Sequence, residues 1–183
     1  MPLKRALVVL AIAFPLLGQE LPFTHFVPGG QAVPLSSASV QKIIQDRQGY
    51  IWLGFYSTGI SRYDGHSMES YGVADGLFDL TVRELVEDAN GRLWVGSEAG
   101  LVVSDKPLGE YRPGERVRFI SKGLPPSRIR RNCVVAAKDG WVWVATQNAI
   151  VRYRAGAQSE SQRVADLGAG VGCLPALRDA GKL

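Results

Sequence analysis

Apolar residues in this chain come in short runs, broken by Gly, Asp, Asn and Pro. They do not keep the three-to-four spacing of an amphipathic helix for more than about two turns anywhere. Runs such as VQKII, YIWLG, GISRY, RLWVG, GLVVSD, WVWVA and AIVRYR read instead as short strands, rich in Val, Ile and aromatics and bounded by turn residues. YIWLG and RLWVG alternate only weakly, as expected of strands covered on both faces. DRQG and DANG suit tight hairpin turns, because Asn and Gly tolerate positive φ and Asp binds nearby backbone amides. The pattern therefore predicts an all-β protein.

The runs repeat. Gly49-Tyr50-Ile51-Trp52, Gly91-Arg92-Leu93-Trp94 and Gly140-Trp141-Val142-Trp143 each follow an apolar run that ends in a polar turn, and the last Trp of each stands 42 and then 49 residues after its predecessor. Asp46 and Asp88 open the first two turns; Ala137 takes that place in the third, and Ala145 replaces the Gly54 and Gly96 that follow the earlier tryptophans. After each Trp come a second turn, a strand-like run, and then, in the first two units, an aromatic-bearing run (SMESY, RVRFI) and a Gly-Leu loop (DGLFD, KGLPP). Four short strands at this period make a propeller blade, whose two apolar faces must each pack on a neighbour. Trp52, Trp94 and Trp143 are placed for that packing, since a buried Trp covers roughly 200 Å². The expected units are about 36–71, 78–120 and 127–158, with the start of a fourth at 170–183.

The pattern D-x-x-G-x-apolar-W-apolar-G, followed by Gly-apolar, an aromatic and Asp-Gly-Leu, resembles the two-component regulator propeller repeat. The resemblance covers roughly residues 22–183 and is closest from Tyr71 to Asp105. It implies a partial β-propeller of the kind that forms the periplasmic sensor region of hybrid histidine kinases and related regulators. Its implied partners are an extracytoplasmic ligand, further blades, and downstream membrane and signalling domains.

Gly181-Lys182-Leu183 matches the residues that precede each Trp, and PFTHF at 22–26 resembles a last strand without its blade. The expectation is an unclosed ring in the N-terminal portion of a longer protein, with a truncated reading frame as the alternative. Two open apolar faces of ~400 Å² each would forfeit about 10 kcal/mol per face, so self-association through them is expected. Residues 1–18 read as a secretory signal, with basic Lys4 and Arg5 before the apolar run ALVVLAIAFPLL, which is short for a membrane span. The remaining 19–183 form the sensor propeller, exported to the periplasm or cell envelope; an uncleaved anchor is the alternative.

Composition adds little to this picture. The chain is 46% hydrophobic and 21% charged, and its formal net charge of +4 gives no argument for nucleic acid. Cys133, in the run CVVAA, reads as a small buried hydrophobe, with a disulfide to Cys173 as the alternative. His25 and His66 read as surface residues, and no catalytic, cofactor or metal motif occurs; GAGVG at 168–172 lacks the spacing of a phosphate loop. Asp46, Asp64, Asp75, Asp79, Asp88 and Asp105 recur at turns, which points to turn capping.

In a propeller the loops between second and third strands, and those between blades, share one end of the channel. They place Phe55, Tyr56, Glu98, Gln147 and Asn148 together with Asp75, Phe78, Asp79, Arg128, Arg130 and Arg131 as candidate ligand contacts. Asp46, Gly49, Trp52, Asp88, Gly91, Trp94, Gly140 and Trp143 are structural repeat positions. A lyase of the streptogramin-inactivating type, or a non-signalling interaction propeller, is the alternative function.

Overall fold

The computed structural model describes residues 35–121, 129, 133–146, 149–154 and 160–166, leaving aside the side chains of 160 and 161. The signal segment, PFTHF, GAGVG and the start of a fourth unit lie outside them. Three four-stranded antiparallel sheets follow one another, each a meander with its strands in chain order. The first holds β1 (Val40–Gln45), β2 (Ile51–Phe55), β3 (Ile60–Tyr63) and β4 (Met68–Tyr71). The second holds β5 (Val82–Glu87), β6 (Leu93–Ser97), β7 (Leu101–Ser104) and β8 (Phe119–Ile120). The third holds β9 (Val134–Ala136), β10 (Val142–Ala145), β11 (Ala149–Arg154) and β12 (Glu160–Asp166), the last running past the limit of 158 expected from the repeat. The first strands β1, β5 and β9 lie side by side. No sheet closes on itself among the described residues. This is a partial, open propeller of three blades.

Side-chain alternation along the second strand of each blade builds the stack. Leu93 and Val95 on β6 turn toward the first sheet, where they share a core with Trp52, Ile60, Tyr71 and Leu85. Trp94 turns the other way and shares a second core with Val142, Val144 and Tyr153 of the third sheet. Trp52 and Trp94 therefore each face the following blade. The Tyr71 ring lies 6.2 Å edge-on from Phe119 of the second blade, and Trp94 lies 6.4 Å from Tyr153 of the third. Trp52 and Trp94 are 0% and 2% exposed. Burying each indole is worth at most about 5 kcal/mol at ~25 cal/mol/Å².

The recurrent Asp and Gly have separate tasks. In the first two blades the Asp carboxylate holds its hairpin turn and its blade's Trp together. Asp46 Oδ1 accepts the Gln48 and Tyr50 amides at 3.0 and 2.9 Å, while Oδ2 accepts Trp52 Nε1 at 2.7 Å. Asp88 repeats this with Asn90, Arg92 and Trp94 Nε1 at 2.8, 3.0 and 2.8 Å. In the third blade the backbone turn persists, with Ala137 N donating to Trp141 O at 2.8 Å, and Asp139 Oδ1 takes the Trp141 amide at 3.1 Å. The glycines two residues after Trp52 and Trp94 allow close approach between blades. A Cβ on Gly54 would stand 2.6 Å from Val82 Cγ1, and one on Gly96 2.7 Å from Ile129 Cγ2.

Polar ties reinforce the stack. Lys42 on β1 pairs with buried Glu84 on β5. Arg116, from the long β7–β8 connection, reaches back to Asp75 at 2.9 Å, Glu69 at 3.0 Å and the Ser70 carbonyl at 2.7 Å. That diversion shortens the expected strand RVRFI to Phe119–Ile120. The reading of Cys133 as a bare buried thiol is corrected: the residue is fully buried but disulfide-bonded. Cys173 lies outside the described residues. On the leading face of the first sheet, Phe55 and Leu53 are buried and Ser36 Oγ lies within hydrogen-bond distance of Ser61 and Ser70, while Ile43 is 59% exposed. Among the described residues no helix is long and apolar enough to cross a membrane.

Candidate functional site

The second-to-third-strand connections close in the same way in all three blades. Phe55 N donates to Gly59 O at 2.9 Å, Ser97 N to Gly100 O at 2.8 Å and Thr146 N to Ala149 O at 2.8 Å. This common closure sets residues 56 and 98 at one end of the stack, the end shared with the connection from β4 to β5.

Of the expected contacts, Tyr56 and Glu98 are brought together through a residue that was not singled out. Arg83, on β5, forms an ion pair with Glu98 and holds its guanidinium 5.0 Å from the centre of the Tyr56 ring. Arg83 Nη1 also donates to Gln41 Oε1 on β1 at 3.4 Å. One guanidinium thus joins a loop of the first blade, a loop of the second, and both innermost strands. Tyr56 is 49% exposed, so its ring remains open to a ligand. The signal in the sequence was a polar residue eleven positions before each repeat Trp, namely Gln41, Arg83 and Asn132. Asn132 lies outside the described residues.

Other candidates have different places. Phe55 is fully buried, so its side chain belongs to the core of its sheet rather than to a surface. Asp75 is also buried, at the end of a 3-10 turn, Val73–Asp75. Its carboxylate takes the Gly72 amide at 2.9 Å and both Arg116 donors at 2.9 Å. Burial would raise the Asp75 carboxyl, but the Arg116 guanidinium and the Gly72 amide outweigh it and hold the group below the ordinary carboxylate range. The Gly76 that ends this turn has φ +102, and a Cβ there would meet the Phe119 carbonyl at 2.0 Å, so the Asp-Gly-Leu loop requires its glycine. Phe78 is half exposed, and Asp79 Oδ1 accepts the Thr81 amide at 3.0 Å. Gln147, Asn148, Arg128, Arg130 and Arg131 lie outside the described residues. Ile129 is buried and donates its amide to Ser97 O at 2.9 Å.

Toward the other end, β1, β5 and β9 line an open groove of about 470 Å³ with an apolar floor that includes Ile44, Leu85 and Val134. Glu87 lines it as well, its side chain 8% exposed. Burial pushes the Glu87 carboxyl up, against the opposing Arg47 amide at 3.0 Å. Among the described residues no group of three or more His, Cys, Asp or Glu is placed to hold a metal ion.

The family model described as two component regulator propeller matches residues 34–57 and 76–99. These segments hold the first two strands of the first and second blades, with the paired Asp and Trp of each. The first two blades thus each contain a segment that matches the two-component regulator propeller repeat. No curated protein matches the chain. Among solved structures it is similar to one described as the extracellular domain of a hybrid two component system from B. thetaiotaomicron, at 20% identity and TM-score 0.50, covering 69% of this chain and 17% of that one. It is also similar to a catalytically inactive virginiamycin B lyase from Staphylococcus aureus solved with quinupristin, at 13% identity and TM-score 0.50, covering 71% of this chain and 43% of that one. At these identities the likeness is one of fold. The chain spans less than half the length of either.

Proposed function

We propose that this chain is the ligand-sensing part of an extracytoplasmic propeller in a bacterial two-component signalling protein. The observation that carries the reading is the joining of Tyr56 and Glu98, from two blades, by Arg83 at the loop end of a stack whose first two blades match the two-component regulator propeller repeat. A ligand seated there touches both blades, and it biases output to the extent that it prefers one arrangement of the blades over another. Further blades, a membrane segment and a signalling domain are the partners this role needs. Export rests on the basic start and apolar run of residues 1–18. Among the described residues the histidine is His66, exposed on the β3–β4 turn, away from Tyr56. Nothing in the described site singles out a catalytic base, so a lyase-type reading gains no support from it.

The test is thermal melting of the chain against a panel of small molecules, with Tyr56→Ala in parallel. A compound that raises the midpoint of the parent chain and not of the variant supports the reading. A panel whose active compounds all shift both proteins alike contradicts it.

A further inference from the structure

Arg83 owes its position to a break in strand register. Val82 pairs with Ser97 and Glu84 with Gly96, so Arg83 is the extra residue of a β-bulge on β5. Gln41 holds the same place on β1, between the pairs Val40 with Phe55 and Lys42 with Gly54. A bulge turns one side chain away from the direction the pleat would give it. Here both bulged residues turn toward the same spot, where Arg83 Nη1 donates to Gln41 Oε1 at 3.4 Å. Two repeats thus spend the same irregularity on presenting one polar group at the loop end of the innermost strand.

Resting on the sensing reading, we propose that Arg83 is the ligand-recognising residue of this site, and that it takes a carboxylate of the ligand in place of Glu98. Arg83 Nη2 already holds one carboxylate oxygen, Glu98 Oε1, while Nη1 donates to Gln41, and a guanidinium is the side chain best suited to recognising a carboxylate. The pair is part-exposed, with side chains 18% and 30% accessible, so water and solutes reach it. Glu98 rides on the three residues between Ser97 and Leu101, and the Ser97–Gly100 backbone bond at 2.8 Å closes that hairpin without it. The backbone closure of this loop thus does not depend on the Arg83–Glu98 pair. Exchange replaces one carboxylate by another on the same cation, so the internal pair is a weak competitor. The Tyr56 ring, beside the fork, accepts an apolar or aromatic body attached to the incoming group. Binding then releases a loop of the second blade while engaging one of the first.

The experiment is a titration followed by NMR at neutral pH, reading the Arg83 Nε–H and the Tyr56 ring, with benzoate as the probe and benzamide as its neutral counterpart. Benzoate is expected to shift both signals in the parent chain. Glu98→Gln, a part-exposed loop substitution whose melting is checked first, is expected to bind benzoate about three- to fivefold more tightly, the gain that loss of a part-exposed competing ion pair allows. Arg83→Gln loses the response, and Arg83→Lys does not restore it. The proposal is overturned if benzoate moves neither signal in the parent chain or in Glu98→Gln, if Glu98→Gln binds it more weakly, or if benzamide acts equally well. The benzamide outcome leaves a ligand site with other chemistry, and the sensing reading itself is judged separately by the Tyr56→Ala melts.

Discussion

Replacing Asp88 by Ala tests how a blade secures its tryptophan. Asp88 is fully buried and accepts three hydrogen bonds, from the Asn90 and Arg92 amides and from Trp94 Nε1, at 2.8 to 3.0 Å. Asn90 is exposed, so water replaces the carboxylate at its amide. Trp94 is 2% exposed, and its indole N–H is left inside the core between the second and third blades. An orphaned buried donor costs about 1–3 kcal/mol, and loss of an Asp that caps local amides about 1 kcal/mol. The expected loss is therefore about 2–4 kcal/mol, read from urea unfolding followed by Trp fluorescence and far-UV circular dichroism. A double-mutant cycle with Trp94→Phe isolates the side-chain bond, because Phe has no N–H to strand. Asp88→Ala in the Phe background is expected to cost about 1–2 kcal/mol less than in the parent. A loss under about 0.5 kcal/mol, or strict additivity in the cycle, refutes the reasoning.

Three further outcomes follow from the packing. Gly54→Ala places a Cβ 2.6 Å from Val82 Cγ1 and is expected to cost about 1–3 kcal/mol in the same unfolding assay; a neutral result contradicts the close approach of the first two blades. Burial raises the Glu87 carboxyl, so folding disfavours its charged form: stability is greatest below the carboxylate's unfolded range and falls as pH rises through the raised value. Glu87→Gln is expected to remove that fall and to match or exceed the parent at neutral pH in melts across about pH 4 to 8, and an unchanged pH profile counts against it. Because Cys133 is disulfide-bonded, Cys133→Ala is expected to cost about 2–4 kcal/mol and to abolish the effect of reductant on the melt; a parent chain indifferent to reductant contradicts the bond.

The recurring tryptophans made the blades legible, because a strand buried on both faces needs a large apolar residue at a fixed place in each unit. Trp52 and Trp94, with the Gly two residues later, gave both the period and the second strand. The link from Asp46 to Trp52, six residues apart across a hairpin, was present in the spacing, yet turn chemistry alone accounts for an Asp there. The bulges that aim Gln41 and Arg83 leave no mark in the apolar pattern, since one inserted residue hides within a run of mixed character. Arg116 was equally hidden: its partners Asp75 and Glu69 lie 41 and 47 residues away, and only the packing of two blades brings them together. Phe55 was placed among surface residues because it adjoins a loop; the alternation of β2 turns it into the core instead.

The central claim is that consecutive sheets pack face to face, with aromatic residues of both sheets meeting at each junction. Nuclear Overhauser contacts between assigned rings measure this directly. The account expects cross-peaks between Tyr71 and Phe119, whose centres are 6.2 Å apart, and between Trp94 and Tyr153, at 6.4 Å. Absence of both in a folded sample, with Trp52 and Tyr71 still in contact at 5.5 Å within the first sheet, would show blades that form without stacking and would contradict it.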